Sequence, residues 1–85
     1  MPKTVFSGAH QHLVDLLISA RSKAKLTQTD LAQILGKDQK FISLIERGQR
    51  RVDVLEFYAI ARAMGLEPLK LYSELIKKLP ERLQI

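Results

Sequence analysis

Between Lys37 and Arg51 the chain carries Lys37, Lys40, Arg47, Arg50 and Arg51 against only Asp38 and Glu46. Two glutamines, Gln28 and Gln39, lie just before this run and inside its start. Ammonium and guanidinium groups donate to phosphate oxygens, and lysine or glutamine can also hydrogen-bond the edge of a base. From Val52 to the end acidic and basic residues balance, and three of the five net positive charges fall in this one short run. Such an excess attracts polyanions; it speaks to the partner rather than to the fold.

Other chemistries find less support. His10 and His12 are two residues apart, which on a helix points them in different directions, and no cysteine accompanies them. Serine, histidine and aspartate are present without a nucleophile motif or a glycine-rich phosphate loop. Neither catalysis nor a metal or cofactor is expected. The lack of cysteine fits a reducing compartment. No apolar run approaches the roughly 20 residues of a membrane helix. The start, "MPKTVFSGAH", lacks the apolar core of a signal peptide. The expectation is a cytoplasmic protein, and 85 residues make a single domain, 1–85.

The elements that must position the basic run are helices. No segment alternates like a strand, whereas helical spacing recurs throughout. Ser7 can cap a first helix with Leu13, Leu17, Ala20 and Ala24 on one face, ending before Thr27. Thr27 and Asp30 form a variant capping box, with Leu26 and Leu31 as its hydrophobic staple. Leu31, Ile34 and Leu35 are expected inward, and Gly36 is expected to stop the second helix in a left-handed turn. Asp38 can cap a third helix containing Ile42 and Ile45 and ending at Gly48. Asp53 with Glu56, and Val52 with Phe57, repeat the cap and staple for a fourth, expected to bury Leu55, Phe57, Ile60, Ala61 and Met64. Pro68 suits the first turn of a fifth carrying Leu69, Tyr72, Leu75, Ile76 and Leu79, with Pro80 ending it. The pattern predicts an all-α domain of five short helices around one core.

Counted from Gln28, the small residue Ala32 falls at the fifth place, Gly36 at the ninth, and Ile42 and Ile45 at the fifteenth and eighteenth. A small residue for close helix approach, a glycine for a positive φ and two branched apolars to pin the following helix describe a helix-turn-helix. With Ile42 and Ile45 inward, a 100° wheel turns Lys40, Ser43, Leu44 and Arg47 outward and leaves Gln39 at the N-terminal flank. Gln39 suits a bidentate pair with adenine and Lys40 a contact to guanine O6 and N7. Phe41 and Leu44 can touch thymine methyls, although for Phe41 packing against a neighbouring helix is the favoured reading. Gln28, in the first turn of the second helix, together with Lys37, Arg47, Arg50 and Arg51, is the expected phosphate set.

From Arg21 to Pro68 the sequence resembles the XRE family of phage-repressor and Cro-like helix-turn-helix proteins. The residues that carry the resemblance are Leu26-Thr27-Gln28, Leu31-Ala32, Leu35-Gly36, Ile42-Ser43, Glu46, Gly48 and Arg50. The resemblance implies a compact five-helix, lambda-repressor-like domain that binds double-stranded DNA, usually as a dimer on a near-palindromic operator. It also implies a phosphate contact at Gln28 and an ion pair between Arg21 and Glu46 that holds the third helix in place. Bacterial or phage origin and association with the nucleoid are implied as well. Asp38 departs from the family's more frequent serine or threonine. Its carboxylate would repel a phosphate, so a structural capping role is expected for it and for Asp53.

The tail after residue 68 is richer in apolar residues than a short helix can bury. Leu75, Ile76, Leu79 and Leu83 are the expected dimer interface; the competing arrangement folds the tail back along the first helix near Val5 and Phe6. Two functional readings follow: a dimeric, sequence-specific transcriptional regulator that acts as a repressor, and an antitoxin-type module that neutralises a partner protein and autoregulates through DNA. The short helical tail, without a long disordered neutralising segment, places the regulator first.

Overall fold

A computed structural model describes residues 8–84; Val5, Phe6, Ser7 and Ile85, and the roles expected of them, lie outside it. Five helices follow one another: α1 (Gly8–Lys23), α2 (Gln28–Leu35), α3 (Gln39–Glu46), α4 (Val54–Ala63) and α5 (Pro68–Ile76). No strand occurs among the described residues. α2 packs on α3 and α4, α1 crosses against α3 and α5, and α4 lies on α5. Between them sits a core of Leu17, Ala20, Leu31, Ala32, Ile42, Ile45, Ile60, Ala61, Met64 and Leu71.

Local chemistry sets the helix starts. Thr27 Oγ1 accepts from the Asp30 N–H at 3.0 Å and Asp30 Oδ2 from the Thr27 N–H at 2.9 Å, a reciprocal box that fixes the entry to α2. Asp38 Oδ1 accepts from the Phe41 N–H at the start of α3, and Asp53 and Glu56 close a second box at α4. Both aspartates therefore cap. α2 stops at Gly36, whose φ of 72° lets the Lys37 N–H reach back to the Ala32 carbonyl at 2.9 Å. Only two residues then separate this stop from the start of α3, which gives the tight turn. α1 ends differently: Lys25 takes the left-handed conformation (φ 61°) and the Leu26 N–H closes on the Arg21 carbonyl.

Several inward assignments are corrected. On α1 the buried stripe runs through Val14, Leu17 and Ala20, with Leu13 and Ala24 half-buried at its margins. On α2 Ile34 is 57 % exposed. The inward axis runs between Leu31, Leu35 and the closely packed Ala32, and at 100° per residue Ile34 falls about 100° off it. On α4 Leu55 is 77 % exposed, nearly opposite Ile60, Ala61 and Met64. On α5 the core receives Leu71 and Leu75, whereas Leu69, Tyr72 and Ile76 form a separate outward stripe. α5 also ends at Ile76 rather than at Pro80. Leu79 sits in a closing turn, its N–H on the Ile76 carbonyl.

Candidate nucleic-acid interface

The third helix is anchored from beneath. Ile42 and Ile45 are each buried in the core. Gln39 and Lys40 are exposed, Ser43 and Leu44 half-buried, and Arg47 is exposed at the C-terminal cap. The outward set expected from the wheel thus lies together along one helix. Phe41 is half-buried against the core, with Lys37 Nζ 5.4 Å and the Arg50 guanidinium 4.7 Å from its ring centre. It packs, and two cations flank it.

A polar network ties α3 to the rest of the domain. Arg21 Nε donates to Glu46 Oε2 at 2.6 Å and Arg21 Nη2 to Glu46 Oε1 at 3.0 Å, while Nη1 donates to the Leu26 carbonyl at 2.8 Å. The paired carboxylate holds the Arg21 guanidinium above the usual arginine range. One residue of α1 therefore fixes both the end of α3 and the entry to α2. Gln28 Nε2 donates to Glu46 Oε1 at 2.8 Å, and Gln28 Oε1 accepts from Gln39 Nε2 at 2.5 Å. The two glutamines expected to serve different ends of the site are thus in direct contact.

The expected phosphate residues divide. Lys37, Arg47 and Arg51 are exposed. Arg50 is placed otherwise than expected: its guanidinium grips Glu56 through two contacts of 3.0 and 2.9 Å and also donates to the Arg51 carbonyl. The Glu56 carboxyl is held below its ordinary range, first by Arg50 and then by the Asp53 N–H. Arg50 clamps the loop after α3 to the first turn of α4 and cannot turn both terminal nitrogens to a phosphate without releasing Glu56. Arg51 lies near the start of α1, where its charge adds to burial in holding the His10 imidazole below its ordinary range. No group of three or more His, Cys, Asp or Glu among the described residues is placed to hold a metal ion. No helix among them is long and apolar enough to cross a membrane.

Of the expected interface residues on the tail, Leu75 is 7 % exposed and belongs to the monomer core. This corrects its assignment to a dimer contact. Leu79 is half-buried, and Ile76 and Leu83 are exposed. Among the described residues, six of the eight large exposed apolar side chains lie on α4 and α5: Val54, Leu55, Tyr58, Leu69, Tyr72 and Ile76. Tyr72 meets Phe57 edge-on at 6.1 Å, joining the two helices beside this surface.

The helix-turn-helix family (HTH_3) matches residues 17–71, which is most of the chain. The chain belongs to the XRE family of helix-turn-helix proteins. It is similar to an XRE-family like protein from Pseudomonas syringae pv. tomato str. DC3000, with 44% identity and a TM-score of 0.79 over 85% of this chain and 88% of that one. The restriction-modification controller protein C.AhdI from Aeromonas hydrophila shares 29% identity over 76% of this chain and 98% of its own, with a TM-score of 0.69. The wild-type controller C.Esp1396I shares 25% over 86% and 95%, with a TM-score of 0.78. No curated protein sequence matches. As an XRE-family member the protein is a DNA-binding regulator of transcription, and the helix-turn-helix formed by α2 and α3 is the element through which that family binds.

Proposed function

We propose that this XRE-family protein is a homodimeric, sequence-specific repressor that binds a near-palindromic operator. The observation that carries the reading is α3: two buried isoleucines anchor it, and Gln39 and Lys40 stand exposed at its N-terminal half. In the major groove, Gln39, Lys40, Ser43 and Leu44 contact base edges. Arg47 and Arg51, with Lys37 and Gln28, hold the backbone on either side, which sets register without reading sequence. Arg50 contributes by keeping the loop in place.

The exposed apolar surface on α4 and α5 supports the dimer. Burying Ile76 and Leu83, with Leu79 at the edge, against a second copy removes them from water. A two-fold axis there presents two copies of α3 to successive major grooves about 34 Å apart. Occupancy of a promoter-overlapping operator then blocks transcription. Two of the similar structures are restriction-modification controllers, so restriction-modification genes are the first place to look for an operator.

Selection from a randomised duplex pool at about 150 mM salt tests the reading, because non-specific binding is weak at that ionic strength. The expected product is a palindrome whose half-sites lie one helical turn apart. Salt-sensitive binding with no enriched sequence would overturn it.

A further inference from the structure

A groove runs along the seam between α1 and α5, with no residue of α2 or α3 in its walls. It consists of two adjoining hollows of about 350 and 330 Å³, and Leu16, Ser19, Lys23 and Glu74 border both. α1 contributes the small side chains Ser19, Ala20 and Ala24 on this side, so the two helices leave a trough between them. The halves differ in character. Toward the end of α1 the floor is apolar, built from Ala20, Ala24, Met64, Leu66 and Leu71. Toward its middle His12, Asp15 and Lys78 stand at the rim. The carboxylates already hold donors: Asp15 Oδ1 accepts from Gln11 Nε2 at 2.9 Å, and Glu74 Oε2 from Lys77 Nζ at 3.1 Å. The Lys23 and Lys78 ammonium groups and the Ser19 hydroxyl have no partner among the described residues. The uncommitted charges in the groove are therefore both positive.

We propose that this groove is a binding site for a small amphipathic carboxylate. Its head group lies at Ser19 and Lys23, with Lys78 farther along, and its hydrocarbon chain covers Met64, Leu66 and Leu71. A carboxylate accepts from the hydroxyl and from both ammoniums, whereas a cationic head would meet Lys23 and Lys78 as like charges. The volume falls at the small end of ligand cavities, about 300–1,000 Å³, which favours a medium chain over a long one. An occupant leaves α3 open and braces α5 against α1, behind the stripe of Leu69, Tyr72 and Ile76. The site thus stands apart from the DNA-reading surface.

Sodium hexanoate and the neutral 1-hexanol, titrated separately into the isotope-labelled full chain, test the site by amide NMR shifts. Sodium chloride is exchanged for hexanoate to hold the ionic strength constant, because salt screens exposed charges. Hexanoate is expected to give saturable shifts centred on Leu16, Ser19, Lys23 and Leu71, with a dissociation constant of roughly 5 mM. Two exposed cations should make it bind about fivefold tighter than hexanol, and Lys23→Met combined with Lys78→Met should narrow that gap to about twofold or less. Both lysines are exposed, so the double variant keeps the core, and its own spectrum reports the fold. No saturation by about 50 mM hexanoate overturns the site. Shifts centred on Tyr72 and Ile76 put the probe on the exposed stripe and overturn it as well. Equal affinity for hexanol, or a gap that survives the double variant, overturns the carboxylate as the ligand class.

Discussion

Replacing Arg21 by methionine keeps an unbranched stem but removes the donors with which α1 holds Glu46 and the Leu26 carbonyl. Glu46, whose side chain is 8 % exposed, then faces an apolar group, and the Leu26 carbonyl loses its partner. Breaking one side of a buried pair costs about 3–5 kcal/mol, and a hydrogen bond to a charged group contributes about 1.5–3 kcal/mol. Glu46 keeps the Gln28 donor and Arg21 is 18 % exposed, so the expected loss lies at the low end, about 3 kcal/mol. That is a large fraction of the roughly 5–15 kcal/mol total of a small domain. Glu46→Leu strands the more accessible arginine and is expected to cost about 2 kcal/mol. The double variant strands no charge. Because the Coulomb gain of a buried pair is largely cancelled by desolvation, it should return to within about 1 kcal/mol of wild type. Urea unfolding followed by far-ultraviolet circular dichroism measures all three, at one fixed protein concentration because the proposed dimerisation would shift the midpoint. A single-variant loss under about 0.5 kcal/mol, typical of a surface pair, would refute the reasoning. So would losses that merely add in the double variant.

Further outcomes follow from other contacts. If about six phosphates are neutralised, log affinity falls with log salt at a slope near −5, and Arg47→Ala makes that slope shallower by about one in a salt titration of binding. Glu56 titrates below its ordinary range because of Arg50, so its contribution is present above the unfolded carboxyl pKa and lost as pH falls through the lower folded value. Glu56→Gln should therefore flatten the acid limb of a stability–pH curve below about pH 4.5; an unchanged limb would remove the clamp from the account. Ile76→Glu places a charge on the exposed stripe of α5 without touching Leu71 or Leu75. It should yield folded monomer by analytical ultracentrifugation at tens of micromolar, where wild type is expected to sediment as the proposed dimer; an unchanged dimer would place the interface elsewhere.

What was legible in the residues was whatever they settle among near neighbours. Thr27 with Asp30 and Asp53 with Glu56 satisfy helix N–H groups three positions away, and Gly36 meets a backbone requirement of its own turn. The boundaries of α2, α3 and α4 could therefore be placed. Orientation was harder. More than half the circumference of α5 is apolar, and spacing alone does not say which stripe meets the core; Leu71 and Leu75 do, while Leu69, Tyr72 and Ile76 do not. Ile34 and Leu55 misled for the same reason. The bond from Gln28 to Glu46 spans 18 positions and two helices, so periodicity could not show it. Arg50 was missed for another reason: Glu56 already had a local role in the α4 cap, and a carboxylate has lone pairs enough for both.

The claim at the centre is that α3 reads base edges. Affinities of Lys40→Ala and wild type across a set of single-base operator variants test it most directly, since Lys40 is exposed and no contact to the core complicates its removal. Lys40→Ala is expected to lose about 1–3 kcal/mol of discrimination at one base pair of each half-site and to keep its preferences at the others. A uniform loss across all variants, with every preference intact, would make Lys40 a backbone contact and contradict the assignment of α3 as the reading helix.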